Sequence, residues 1–283
     1  MAEILLSAFS DEYSRDIDKQ IEMLSKEGIK YIEPRFIGEK SISDLSYSEA
    51  KELKRKLDAC DIGVSAIGSP LGKINLADDF EAHLDRAKNT FEVANVLEAK
   101  RIRVFSFYLR EGMSRDDSFP EVTEKMAALL ELADRYSLTL CHENEALIYG
   151  ERDEDCEKLL KFFEGRLKCV FDMGNFVLDG CNPYPYGYAL LKDYIEYFHI
   201  KDSLAAGAIV PAGEGEAHID DILRAHKNYA KKDFFITLEP HLETFSGLNQ
   251  LVGKKFNNPY KFSSQEEAFI SGLKALRDIM ARI

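Results

Sequence analysis

The sequence predicts an α/β protein built as a single (β/α)8 barrel, the TIM barrel fold, over residues 1–283. Short apolar or β-branched runs recur eight times along the chain, and a longer segment with helical periodicity follows each of them. Eight such units in about 250 residues are the usual size of a closed barrel. The alternative, an open doubly wound sheet, commonly has a glycine-rich loop after its first strand. Here that position reads SAFSDEY, without glycine.

The strand predictions rest on short runs rich in Val, Ile, Leu, Phe and Tyr that polar segments separate. Their length is ordinary for buried strands of a parallel sheet. In chain order they cover residues 3–9, 31–36, 63–69, 101–107, 138–144, 168–174, 197–203 and 234–240.

The helix predictions rest on apolar residues that return to the same face every three or four positions. In the third helix, for example, Ala87, Phe91 and Ala94 form part of an apolar stripe. Gly28 and Gly165 stand where helices are expected to end. In chain order the predicted helices cover residues 16–28, 48–60, 79–97, 119–136, 153–165, a stretch through 188–197, 220–230 and 264–283.

The composition, 45% hydrophobic and 31% charged, is that of a globular protein, and the net charge of −13 argues against a nucleic-acid partner. The five cysteines are odd in number and include no C-x-x-C pair, which is typical of reduced thiols. There is no signal peptide pattern and no apolar run of about 18 residues, so no membrane association is expected. We expect a cytoplasmic protein with a small-molecule partner, and a homo-oligomer remains open.

Polar residues stand at the ends of the last four predicted strands. Strand five ends with Glu143, strand six with Asp172, strand seven contains His199, and Glu239 ends strand eight. In a (β/α)8 barrel the active site forms at the C-terminal ends of the strands, so these four side chains are expected to converge. Each alone has an ordinary alternative, such as a helix cap or a buried core histidine, but together they predict one site.

Two glutamates, one aspartate and one histidine are suitable ligands for one divalent cation. Mn²⁺ is the first choice, with Mg²⁺, Co²⁺ or Zn²⁺ as alternatives. Such an ion acts as a Lewis acid on a sugar carbonyl and its neighbouring hydroxyl, and it stabilises an enediolate. Glu143 and Glu239 are then the candidate catalytic residues, because proton transfer needs a carboxylate on each face of the reacting carbon.

Seven short motifs resemble the sugar phosphate isomerase/epimerase family, the xylose isomerase-like TIM barrels, over essentially the whole chain. They are YIEPR (31–35), RIRVFSFY (101–108), HEN (142–144), FDMGN (171–175), FHIKD (198–202), PAGEGE (211–216) and LEPH (238–241). The resemblance implies a metal-dependent enzyme acting on a sugar or polyol, with Glu143, Asp172, His199 and Glu239 as ligands. It also implies a substrate or metal contact at Asn175, where relatives often carry a histidine. The nuclease branch of the family needs additional histidines, and this chain has only six.

Further substrate-binding candidates lie near the same strand ends. Arg35 and Arg103 are expected to hold a substrate hydroxyl or carboxylate, or else to form structural ion pairs, for Arg35 with Glu33 or a neighbour. Lys201 shares the strand face of His199 and is expected to polarise a substrate oxygen. The others are His241, with loop capping as its alternative, and Tyr108, with ordinary packing as its alternative.

Three functions remain open from the sequence. The leading hypothesis is an isomerase or epimerase that acts through an enediolate. A dehydratase would begin with the same proton abstraction and then expel water, and a catalytically silent barrel would bind a sugar without turnover.

Glu145 is expected to support the site or to lie in a solvated loop. The segment 242–265 is expected to be a long loop, either a cover over the site or a dimer contact.

Overall fold

A computed structural model describes residues 2–242 and 259–283 of the chain. Eight strands form the barrel and are numbered here in chain order. They are β1 (Ile4–Ala8), β2 (Tyr31–Ile32), β3 (Gly63–Val64), β4 (Arg101–Val104), β5 (Thr139–Glu143), β6 (Lys168–Asp172), β7 (Ile195–Ile200) and β8 (Phe234–Leu238).

The strands close into a ring. Six of them form one parallel sheet in the order β1-β8-β7-β6-β5-β4, and β2 pairs in parallel with β3. The Glu33 N–H donates to Ala8 O at 3.1 Å and joins β2 to β1. The Ile67 N–H donates to Arg101 O at 2.9 Å and joins the end of the third strand to β4. The predicted (β/α)8 barrel is therefore confirmed.

The second and third strands are shorter than predicted. Regular pairing covers two residues in each, where the sequence predicts residues 31–36 and 63–69. Pro34 has no N–H to donate, so the ladder cannot continue regularly beyond β2. The two segments stay side by side nonetheless, because the Gly68 N–H donates to Pro34 O at 3.0 Å.

The α-helices surround the barrel, and short turns and two hairpins join the elements. The helices are α1 (Ile17–Lys26), α2 (Tyr47–Asp58), α3 (Phe80–Val96), α4 (Arg115–Arg135), α5 (Asp153–Phe162), α6 (Met173–Leu178), α7 (Tyr188–Leu191), α8 (Ile219–Tyr229) and α9 (Gln265–Met280). The 3₁₀ turns are Ser10–Glu12, Ile42–Asp44 and Tyr149–Glu151, and Pro183–Gly187 is a π turn. The hairpins pair Phe36–Ile37 with Lys40–Ser41, and Asp202–Leu204 with Ala208–Val210.

Several other predicted boundaries are also wrong, and three of them have a clear physical reason. Helix α4 begins at Arg115 rather than at 119, because Ser114 caps it by accepting the Asp117 N–H at 3.1 Å. The predicted helical stretch through 188–197 ends at Leu191, and its last residues belong to β7. The predicted strand 168–174 ends at Asp172, whose carboxylate caps α6. In the last two cases pairing or capping by neighbours outweighs local propensity.

The inward-facing residues of the barrel form layers, because side chains two positions apart on a strand share a face. Cys141, Val170 and Tyr197 pack with Ala66 in a small apolar cluster inside the barrel. On β5, β6 and β7, the residue two positions further along is one of the predicted metal ligands. The apolar layer thus closes the barrel below the site and separates it from the opposite end.

The segment 242–265 lies mainly outside the described residues, which leave out 243–258, so its role as a cover or a dimer contact stays a prediction. Within the described part of the chain, no helix is both long and apolar enough to cross a membrane.

Candidate metal centre and substrate cavity

The four predicted ligands project into the barrel at its C-terminal end. Glu143 and Asp172 are the last residues of β5 and β6. His199 lies one residue before the end of β7, and Glu239 directly follows β8. All four are at most 2% exposed. The structure therefore brings together, in one buried cluster, residues that are far apart in the chain.

The donor atoms of this cluster are close enough to bind one ion together. His199 Nδ1 lies 2.8 Å from Glu143 Oε1 and 3.7 Å from Glu239 Oε2. One donor atom from each of the four residues, Asp172 included, lies within 4.8 Å of the others. Ligands that bind one divalent cation at about 2.1 Å are separated by up to about 4.2 Å, so small side-chain movements are sufficient.

Two oxygens of the cluster are available as ligands. Glu143 Oε2 and Asp172 Oδ2 are buried and accept no hydrogen bond from the described residues. Their nearest charged contacts are Arg103 Nη1, 3.2 Å from Glu143 Oε2, and Lys201 Nζ, 2.9 Å from Asp172 Oδ2. Three carboxylates and one imidazole form the oxygen and nitrogen donor set that Mn²⁺, Mg²⁺ and Zn²⁺ accept. The residues present thus fit a divalent cation.

The charges of the cluster balance one another. Burial disfavours ionised Glu143, but His199 and Arg103 lower its pKa to about 2. Burial also disfavours protonated His199, but Glu143 and Glu33 raise its pKa to about 10. Burial raises the pKa of Asp172 to about 7 against the opposing effect of Lys201. A histidine and a lysine therefore carry the positive charge that compensates the carboxylates.

A cavity of about 320 Å³ opens above this cluster. Glu239 is the one member of the ligand set among the residues that line it. Of the predicted substrate-binding residues, Arg35, Arg103, Lys201 and His241 line the cavity, and Asn175 and Tyr108 do not.

The family model of the xylose isomerase-like TIM barrels matches residues 21–278. The chain belongs to this family. Solved structures share the fold of this chain at low sequence identity, and a search of the curated proteins finds no significant match to this sequence.

Three solved structures illustrate the similarity. The probable 3-DHS dehydratase AsbF from Bacillus anthracis is 17% identical, with a TM-score of 0.72 and coverage of 98% of this chain and 99% of that chain. The IOLI protein with a bound zinc atom is 17% identical, with a TM-score of 0.74 and coverage of 100% and 99%. D-psicose 3-epimerase with D-tagatose, from Clostridium cellulolyticum H10, is 13% identical, with a TM-score of 0.73 and coverage of 98% of each chain.

The segment directly after β2 contributes a residue that sequence reasoning did not assign to the site. Glu33 is fully buried and lies 3.2 Å from His199 Nε2, on the side of the ring opposite Nδ1. It also accepts hydrogen bonds from Tyr197 Oη at 3.0 Å and Thr237 Oγ1 at 2.7 Å. A carboxylate behind a ligating imidazole fixes the orientation of the ring. The signal in the sequence was a lone glutamate in YIEPR, interpreted only as a partner for Arg35.

We expect Glu33→Gln to weaken divalent metal binding by about 10–100-fold, because an amide holds the His199 imidazole less firmly than a carboxylate does. Competition against a chromophoric chelator measures this affinity directly, without reference to turnover. Tyr197→Phe is the matched control, since it removes one donor to Glu33 and leaves the Glu33–His199 contact in place. Equal metal affinities for Glu33→Gln and the unmodified protein would contradict the assignment.

Arg35 forms its ion pairs with residues other than Glu33. Its guanidinium contacts Asp11 at 3.0 Å, Glu12 at 3.2 Å and Glu239 Oε1 at 2.8 Å. His241 Nδ1 lies 2.7 Å from Glu12, so this histidine joins the same network. The network holds one oxygen of Glu239 and leaves its Oε2 directed toward His199 and Lys201.

Asn175 lies beside the metal cluster and contacts backbone. Its side-chain amide donates to Asn144 O at 2.9 Å, and its N–H donates to Asp172 Oδ1 at 2.8 Å. Asn144 in turn bonds both the N–H and the carbonyl oxygen of Asp172. These contacts fix the backbone of Asp172, while the role of Asn175 and Tyr108 in substrate binding stays a prediction.

Two further loop segments make contacts that sequence reasoning did not predict. Glu145 lines the cavity and forms an ion pair with Lys73 at 2.8 Å, which brings a second lysine to the site.

The glycine-rich PAGEGE segment surrounds a side chain of the protein itself. Gly213, Gly215 and Ala217 donate their N–H groups to the carboxylate of Asp202, at 2.7, 3.0 and 3.1 Å. These three hydrogen bonds fix the loop next to Lys201.

Proposed function

We propose that the protein is a divalent-metal-dependent isomerase or epimerase of a small carbohydrate, a ketose or keto-polyol, acting through an enediolate. The observation that carries this proposal is the placement of two glutamates, Glu143 and Glu239, in one buried ligand cluster directly beneath a polar cavity. Membership of the xylose isomerase-like TIM barrel family and structural similarity to a sugar epimerase support it.

Glu143, Asp172, His199 and Glu239 would hold the metal ion. When bound, the ion supplies Lewis-acid polarisation of the substrate carbonyl, which acidifies the neighbouring carbon. The alignment of the ligands comes from the chain itself, through Glu33 on His199 and Arg35 on Glu239.

The two glutamates would move the proton. One carboxylate takes the proton from the carbon next to the carbonyl, and the other returns a proton to the opposite face, or to the neighbouring carbon in an isomerisation. Glu239 lines the cavity, while Glu143 lies deeper, held between His199 and Arg103.

Lys201 would stabilise the negative charge that develops on the substrate oxygen. Its ammonium lies 2.9 Å from Asp172 and 3.4 Å from Glu239, at the base of the cavity. Because those contacts and burial hold it in place, the cation is oriented before the substrate binds. The pKa of Lys201 is raised by Asp172 and Glu239 despite burial, so it is a donor of hydrogen bonds rather than a base.

The test is metal analysis of the purified protein, followed by a screen of ketoses, aldoses and keto-inositols in D₂O with that metal restored. We expect metal-dependent incorporation of solvent deuterium at the carbon next to the carbonyl, with the carbohydrate otherwise unchanged in mass. Loss of one water from the product would instead identify a dehydratase. Metal retention without exchange on any of these compounds would contradict catalysis and favour a sugar-binding barrel.

A further inference from the structure

The cavity continues outward beyond the residues that the proposed reaction needs. At its base lie Glu239 and Lys201, both at most 4% exposed. Its mouth is formed by Asp44 and Arg86, whose side chains are 51% and 37% exposed. One continuous space therefore joins the metal cluster to a second set of residues nearer the surface.

This outer part, which we call the outer subsite, is lined by residues from two neighbouring segments. Phe36, Ser41 and Asp44 come from the hairpin and 3₁₀ turn that follow β2. Pro70 and Arg86 come from the loop after β3 and from α3. Neither segment contributes a predicted metal ligand or proton carrier.

The cavity is larger than one monosaccharide requires. A hexose occupies roughly 200 Å³, the space of about seven waters at about 30 Å³ each. The cavity offers about 320 Å³, and among the described residues Asp44 and Arg86 at its outer end are partly exposed. A single sugar held at the metal cluster would therefore leave the outer subsite unfilled.

The outer subsite is built before any ligand arrives. Arg86 forms two hydrogen bonds with the Asp44 carboxylate, each at 3.0 Å. Asn89 on the same helix donates to Ser43 O at 2.8 Å and Leu45 O at 3.0 Å, which fixes the 3₁₀ turn. On the other side, the Gly72 N–H donates to His83 Nε2 at 2.9 Å and fixes the loop after β3. Preformed walls of this kind reduce the entropy lost on binding.

The chemistry of the outer subsite matches a sugar ring. Phe36 and Pro70 offer apolar surface for the C–H face of a pyranose. Ser41, Asp44 and Arg86 offer donors and acceptors for its hydroxyl groups, and the opposite charges of the last two residues offset each other.

We propose that the outer subsite binds a second sugar ring, so that the substrate is a disaccharide or glycoside whose reacting unit keeps a free carbonyl. This inference rests on the proposed function, because it takes the metal cluster as the place of the reacting unit. The outer subsite would then contribute to substrate specificity, which the metal ligands alone do not define.

Saturation-transfer NMR on the magnesium-loaded protein tests the inference with two probes, D-fructose and its 6-O-glucosyl derivative isomaltulose. We expect isomaltulose to bind about tenfold more tightly than D-fructose, with saturation on protons of both of its rings. Phe36→Ala and Arg86→Ala should each reduce the affinity for isomaltulose more than the affinity for D-fructose. Lys88→Ala, an exposed residue on the same helix that pairs with Asp85, is the matched control and should change neither.

Saturation confined to the fructosyl ring, or no binding of isomaltulose, would overturn the inference. An equal loss of both affinities in Phe36→Ala would also overturn it. Failure of the proposed function is seen separately, as the absence of metal-dependent deuterium incorporation with any sugar.

Discussion

Replacing Glu143 or Glu239 with Gln is expected to slow interconversion of the two substrate isomers by about 10²–10⁴-fold, the usual contribution of a positioned acid or base. A glutamine keeps an oxygen that can bind a metal, but it cannot take or return a proton. Each variant should also lose solvent deuterium exchange from the isomer whose proton the removed carboxylate takes. Proton NMR in D₂O, started separately from each isomer, measures both effects.

Two measurements separate proton transfer from the other roles of these residues. The metal content of each variant shows whether lost ligation explains the loss of rate. Glu131→Gln, on the exposed face of α4, is the matched control and should exchange at the unmodified rate. Undiminished exchange in both Glu143→Gln and Glu239→Gln would rule out the two-glutamate mechanism.

Lys201→Met is expected to lower the stability of the metal-free protein by about 3–5 kcal/mol, because it leaves buried Asp172 and Glu239 without the ammonium that contacts both. For a chain of this size this corresponds to a fall in Tm of about 5–8 °C. A bound divalent cation restores the missing positive charge. The difference in Tm between metal-loaded and metal-free protein should therefore be larger in Lys201→Met than in the unmodified protein.

Calorimetric melts in EDTA and in excess Mn²⁺ measure this difference, and the same variant should also turn over far more slowly. Lys161→Met removes a lysine that is 59% exposed and paired with Glu157 on its own helix, so it should leave both melts unchanged. If the metal-free Lys201→Met protein melted at the unmodified temperature, the assigned charge balance would be wrong.

The barrel and the convergence of the four acidic and histidine residues could be predicted from the sequence. Strand ends recur at the spacing of one β-α unit, and parallel strands end at the same edge of the barrel. The number and spacing of the β-α units therefore predicted where the four residues lie, namely Glu143, Asp172, His199 and Glu239. Their individual roles in ligation and proton transfer stay predictions that the experiments above address.

The contacts between distant segments could not be predicted in this way. Glu33 contacts His199 across the barrel. Arg35 forms ion pairs with Asp11, Glu12 and Glu239 rather than with its near neighbour Glu33. Such choices depend on side-chain directions in the closed barrel, and sequence spacing does not contain them. The start of β7 at Ile195 was missed for a related reason, since pairing of Ile195 with Cys169 on β6 outweighs the local helical pattern.

Ring closure between β1 and β8 has a consequence for how the protein is made. The pairing of Leu5 with Phe235 joins the two ends of the barrel, and the strand that completes it also delivers Glu239. During synthesis on the ribosome, the last predicted ligand therefore emerges together with the last strand. A nascent chain that stops before β8 has three of the four predicted ligands and an unclosed sheet, so we expect tight uptake of a metal ion only once the barrel is complete.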